Sequence, residues 1–222
     1  MITVADVQAF LPDLLRATTI TLSLTFIAFA IALVLGLVLA LGRISTSPIF
    51  RIPTTVVVEV IRGTPLVFQL FWVYYVMPFW GVRLEPFPAA VIALSLNYSC
   101  YMSEVYRAGI QSIDRGQIEA ALSLGMRYRL LMRRIVLPQA IPVVIPPLGN
   151  YLISMFKDTS LASIVTLREI MFQGEILAAS TFKHVPIFII AGVIYLLLSY
   201  PASLAVQRLE RQYKVRRQRA LA

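Results

Sequence analysis

Eight polar or ionisable residues stand inside or at the edges of long apolar runs: Glu59, Gln69, Asn97, Tyr101, Glu104, Ser154, Lys157 and Asp158. A charge near the centre of a bilayer costs on the order of 2.5–3.5 kcal/mol on insertion scales, so such residues face a cavity or a partner. Asn97, Tyr101 and Glu104 fall at i, i+4 and i+7 and share one helix face. An amide, a phenol and a carboxylate in that order could line a path for a small zwitterion. Each also has a plainer reading. Glu59 with Arg62, and Glu104 with Arg107, are i, i+3 pairs that could satisfy one another. Lys157 and Asp158 could mark a helix end, and Asn97 could bond a neighbouring helix.

Covalent and metal chemistry have little to work with. Cys100 is the only cysteine and His184 the only histidine. No metal site and no catalytic residue is expected, and His184 reads as a polar loop residue. The phosphate-binding pattern G-x4-G-K-[ST] is absent, so the chain is not expected to hydrolyse nucleotide by that route.

The elements that carry these residues are membrane spans. Mean hydropathy is +0.79, and runs of about 18 or more apolar residues can cross roughly 30 Å of hydrocarbon as helices. The pattern predicts an all-α integral membrane protein, one transmembrane domain over residues 1–222, with five transmembrane helices. They fall at about 18–41, 54–80, 87–106, 135–156 and 185–206, with a loop over about 107–134. Gly63-Thr64-Pro65 predicts a backbone break in the second. Val4, Val7, Leu11, Leu14 and Leu15 lie at helical spacing and predict a short amphipathic surface helix before the first span. Asp6 and Asp13 ahead of the first run argue against a cleavable signal peptide.

Lys and Arg set the orientation. Fifteen fall on one side of the five spans and five on the other. The positive-inside tendency places the basic side, including the C-terminal tail, in the cytoplasm and the N-terminus outside. The net charge of +9 is thus a topology signal and calls for no nucleic acid. The tail "RLERQYKVRRQR" suits anionic lipid.

Between the third and fourth spans the chain reads "EAALSLGMRYRLLMRRIVLPQAIP". Ile118, Ala121, Leu122 and Gly125 predict a helix with a small apolar face, either lying on the inner leaflet or docking a cytoplasmic partner. Glu119 suits the positive end of its dipole.

The spacing E-A-A-x3-G-x9-I-x-L-P, met at Glu119, Ala120, Ala121, Gly125, Ile135, Leu137 and Pro138, resembles the EAA loop of ABC-importer permeases. "IRGTPLVFQLFWVYY", "YRAGIQSIDRGQIEAA", "LPQAIPVVIPPLGN" and "KDTSLASIV" are similar to the polar amino acid uptake subfamily of type I importers. That resemblance implies a cytoplasmic ABC ATPase dimer holding ATP and Mg, a second permease subunit, an external solute-binding protein and a prokaryotic inner membrane. It makes residues 116–125 a coupling helix, with Gly116, Glu119, Ala120, Ala121, Gly125 and Arg127 meeting the ATPase. Opines and ectoine-like solutes are alternative cargo. An ATP-independent carrier would call for inverted repeats, and a membrane enzyme for clustered Asp, His or Cys, and neither pattern occurs.

Overall fold

The computed structural model describes residues 3–221, with side chains described for residues 3–212. Helix α1 runs from Val4 to Ile44. It starts on a reciprocal cap, in which the Asp6 amide donates to Thr3 Oγ1 at 3.2 Å and the Thr3 amide to Asp6 Oδ2 at 3.0 Å. At about 1.5 Å per residue it is about 60 Å long, twice the hydrocarbon thickness.

The separate surface helix expected before the first span does not exist, because α1 is continuous through Pro12. The apolar face has a partner inside the protein. Leu14, with Phe10 and Ala17, packs on Ile170, Ala178 and Ile187, and Val7 and Leu11 flank that cluster, whereas Val4 and Leu15 stay exposed.

Helix α2 (Pro48–Arg62) and the segment that begins as α3 (Leu66–Phe71) meet at 103°. The expected break at Gly63-Thr64-Pro65 is therefore present, and the single span expected over 54–80 is two pieces. Pro65 caps α3 and disfavours helical backbone at Thr64.

Beyond α3 the chain continues as a π-helical turn, Trp72–Val76, then a 3-10 turn, Met77–Trp80. A second π turn, Met132–Val136, joins α6 (Tyr128–Leu131) to α7 (Leu137–Asp158). Both are followed by one residue and a proline, Pro78 and Pro138. The amides of Met77 and Leu137 reach back five residues, to the carbonyls of Trp72 and Met132. Widening the turn relieves the clash between a proline ring and the carbonyl four residues earlier.

Helix α4 (Pro86–Gln111) lies against α1 along much of its length. Leu24, Ala28 and Ala32 of α1 share a core with Ala89, Ala93 and Leu94 of α4. A Cβ placed at Gly36 would sit 3.0 Å from the Ser99 carbonyl oxygen, so that glycine is what lets the two backbones approach. Among the described residues three helical stretches are long and apolar enough to cross a membrane: Val4–Ile44, Tyr128–Val165 and His184–Gln212. The bent α2–α3 pair makes four if counted as one span. Helix α4 is not among them, since its buried faces carry Ser95, Asn97, Ser99 and Ser103. Neighbouring helices cover most of it, and Ile92 and Leu96 are left exposed.

After α5 (Arg115–Ser123), α6 and α7, a 3-10 stretch, Thr159–Val165, leads into α8 (Ile170–Thr181). Helix α8 was not expected. It packs on α1 and on α9 (His184–Leu221), whose backbone stays helical well past the span expected at 185–206. The side chains of Lys214, Arg216, Arg217 and Arg219, expected at anionic lipid, lie outside the described residues.

Candidate functional site: a charged cluster and a capped helix

Three arginines and two glutamates meet where α1, α2 and α4 converge. Arg43 ends α1, and its side chain is only 10% exposed. Its Nη1 donates to Glu104 Oε2 at 2.6 Å and its Nη2 to Glu59 Oε1 at 3.1 Å. Arg107 pairs with Glu104 on the same helix through Nη2, and its Nη1 donates to Gln111 at 2.6 Å. The expected Glu104–Arg107 pair is thus formed. Glu59 takes Arg43 as its closer partner, and Arg62 stands off at 3.9 Å from both carboxylates. The Arg62 guanidinium lies over the Tyr101 ring, 5.4 Å from its centre. Arg62 Nε is buried without a hydrogen-bond partner.

One turn along α4, Asn97 and Gln69 serve the break between α2 and α3. Gln69 Nε2 donates to the Ile61 carbonyl at 2.8 Å and to Thr64 Oγ1 at 2.9 Å, and Asn97 Nδ2 donates to Gln69 Oε1 at 3.1 Å. Carbonyls orphaned by the break are satisfied this way. Asn97, Tyr101 and Glu104 all turn toward the α2–α3 side, as their spacing predicts. Tyr101, Tyr151 and Tyr98 continue the polar surface toward α7, with ring centres about 6 Å apart. There Tyr98 Oη donates to Asp158 Oδ2 at 2.7 Å. Ser154 is half-buried on α7, and Lys157 is exposed at its end.

A second feature stands apart from this cluster. Helix α5 is capped at both ends. Asp114 Oδ1 accepts from the amides of Gly116, at 2.8 Å, and Gln117, at 3.3 Å. At the other end Gly125 adopts φ +74°, and the amides of Gly125 and Met126 return to Leu122 and Ala121. The small face expected to be open is divided. Ala121 is buried on Ile113, Leu131 and Val136, and Ile118 packs beside it. Glu119, Ala120, Leu122 and Leu124 point outward, with Leu124 83% exposed. A nine-residue helix needs that inward anchor to hold its shape. Gly116 and Arg127 are exposed at its two ends, and Gln117 accepts from Gln139 of α7 at 2.7 Å.

A third arrangement was not foreseen. Glu169 is fully buried, caps α8 through the Phe172 amide at 2.8 Å, and accepts from Tyr195 Oη at 2.5 Å. Burial pushes its carboxyl up to about 7. Sequence reasoning also passed over Arg43, which signals only topology until Glu59 and Glu104 are seen around it. Among the described residues no group of three His, Cys, Asp or Glu side chains could hold a metal.

Packed apolar helices, a broken span and a polar core define a helical membrane-protein fold. Residues 32–215 match the family of binding-protein-dependent transport system inner membrane components, and the chain belongs to that family. A probable amino-acid ABC transporter permease of Sinorhizobium fredii is 43% identical over 90% of this chain and 86% of its own length. The L-cystine transport system permease of Bacillus subtilis is 41% identical over 92% of this chain and 88% of its own length. Among solved structures, an amino acid ABC transporter crystallised with histidines superposes with a TM-score of 0.90 at 34% identity, over 96% of this chain and 99% of that one.

Proposed function

We propose that this chain is the membrane-spanning subunit of an ATP-driven importer for a polar amino acid, working by alternating access with separate ATPase, permease and solute-binding partners. The full-length similarity to amino-acid ABC transporter permeases supports the cargo class. The observation that carries the coupling role is α5. Its inward residue Ala121 is anchored in the chain's own core, while Glu119, Ala120, Leu122 and Leu124 are left outside. A short rigid helix with an outward apolar edge suits a groove on a soluble partner, and a docked α5 would pull α6 and α7 with it. The five-span reading counts α4 as a span shielded by its neighbours. The N-terminus and α8 then lie outside, and α5 and the basic tail in the cytoplasm.

The test is to purify the tagged chain gently from native membranes. Recovery of an ATPase with phosphate-binding motifs, together with ATP-dependent amino acid uptake after reconstitution, is the expected result. A stable chain that never brings an ATPase down would overturn the reading in favour of a surface helix.

A further inference from the structure

We propose that Glu169 is a proton-controlled latch. With its proton it ties α8 to α9 and to the end of α7, and without it the N-terminus of α8 comes away. The latch goes beyond the importer reading and takes from it only an orientation, with α8 outside.

Two backbone positions mark α8 as a segment able to move. Among the described residues Thr166 and Phe182 are the only non-glycines with positive φ, at +60° and +58°, and they bracket α8. A β-branched or bulky residue keeps such a backbone only while its surroundings hold it there. At the N-terminal side the holding falls to Glu169 and its neighbour. Glu169 Oε1 accepts from the Phe172 amide at 2.8 Å, and Oε2 lies 2.5 Å from Tyr195 Oη. The Ile170 amide donates to Thr21 Oγ1 of α1 at 3.4 Å.

The proton sets the direction of a hydroxyl chain. A protonated Oε2 donates to Tyr195 Oη, which frees the Tyr195 hydroxyl for Thr159, a side chain it also meets. Thr159 in turn donates to the Phe156 carbonyl of α7 at 2.8 Å. Loss of the proton reverses the first bond and leaves a carboxylate in a fully buried site. No cation offsets that burial. From α9 the site receives Tyr195, and from α1 Thr21, while Asp6 is held by Lys183 and Asp13 by Arg16. Thr159–Val165 supplies no charge, and Asp158 before it is turned to Tyr98. Glu175 on α8 adds repulsion, Arg168 is exposed, and His184 stacks on Phe188. Burial therefore lifts the Glu169 carboxyl to about 7, against 4.5 for a hydrated one. Opening α8 releases a proton, so it grows easier as pH rises from about 4.5 to about 7.

The test is hydrogen exchange read by mass spectrometry on the full chain in lipid nanodiscs, with and without its ATPase. Protection of residues 170–181, corrected for the intrinsic pH dependence of exchange, is expected to fall about tenfold from pH 6 to pH 8 and then level off. Residues 115–123, a short helix that opens on its own, should keep theirs. Glu169→Gln should remove the fall. Tyr195→Phe withdraws a donor from the carboxylate and should move the levelling-off to higher pH. His184→Gln should leave the fall intact, although imidazoles titrate in the same range.

A flat profile in the unaltered chain, an undiminished fall in Glu169→Gln, an equal fall in residues 115–123, or its loss in His184→Gln overturns the latch. Should Glu169→Gln fail to assemble, Tyr195→Phe decides. Levelling-off at an unchanged or lower pH overturns the proposal, and at a higher pH supports it. The measurement without the ATPase keeps this outcome separate from failure of the importer reading.

Discussion

Glu169 holds a carboxylate in the core with a phenol and backbone amides around it, and among the described residues no cation within ion-pair distance. Its value of about 7 stands above the ordinary 4.5, and burial is the main cause. Between those two values the native state keeps a proton that the unfolded chain has released. Stability from this group is therefore fully present below about 4.5 and declines as pH rises to about 7. Thermal unfolding of the purified protein between pH 5 and pH 8 should show that decline, worth on the order of 1–3 kcal/mol. The slope should flatten in Glu169→Gln, and an equal slope in that variant would assign the effect to another group. Nothing near Glu169 in the sequence marks it. A glutamate after Arg168 reads as solvated, and its partner Tyr195 lies on another helix.

At the scale of elements, Gly125 shows how structure changes a reason while keeping a residue. Spacing suggests that a side chain there would block a docking face. Yet a Cβ at Gly125 meets nothing within 4 Å, and the constraint is its φ of +74°. Bulk and backbone can be separated. Gly125→Asn tolerates a left-handed backbone and should retain the ATPase, whereas Gly125→Leu should lose it through a strain of about 1–2 kcal/mol at the α5 cap. If both lose it equally, bulk at the docking surface is the cause after all.

The elements that were legible carry local chemistry: the break at Gly63-Thr64-Pro65, and the apolar runs of α1, α7 and α9. Helix α8 was not legible, because it ends on Phe182 at φ +58° where a glycine would have announced the stop. The continuity of α1 through Pro12 was hidden too, since a partner 160 residues away supplies the packing that holds it.

At the scale of the whole molecule, the asymmetry of Lys and Arg gives an orientation that labelling can check. Cys100 is buried, so the background is quiet. Phe182→Cys, at a position 84% exposed, should react with a membrane-impermeant maleimide in intact cells. Leu124→Cys should react only after the membrane is opened. The reverse pattern would invert the topology and place α5 out of reach of any cytoplasmic ATPase. That the chain is built of helices, with apolar stretches long enough to cross a membrane, was legible because hydrocarbon imposes its length on the chain. The charged cluster was only half legible, since Glu59 and Glu104 stand out in apolar runs while the arginine joining them sits at a helix end, where arginines are common.

Helix α1 is fastened near both ends. Asp6 is held by Lys183 at 2.6 Å, and Arg43 by Glu59 and Glu104. The thirty-six residues between these anchor points form one unbroken rod of about 55 Å. A spar pinned in this way can tilt or swing but cannot lengthen. The subunit's two rims therefore keep a fixed spacing, and whatever opens one side must do so by leverage rather than by stretch.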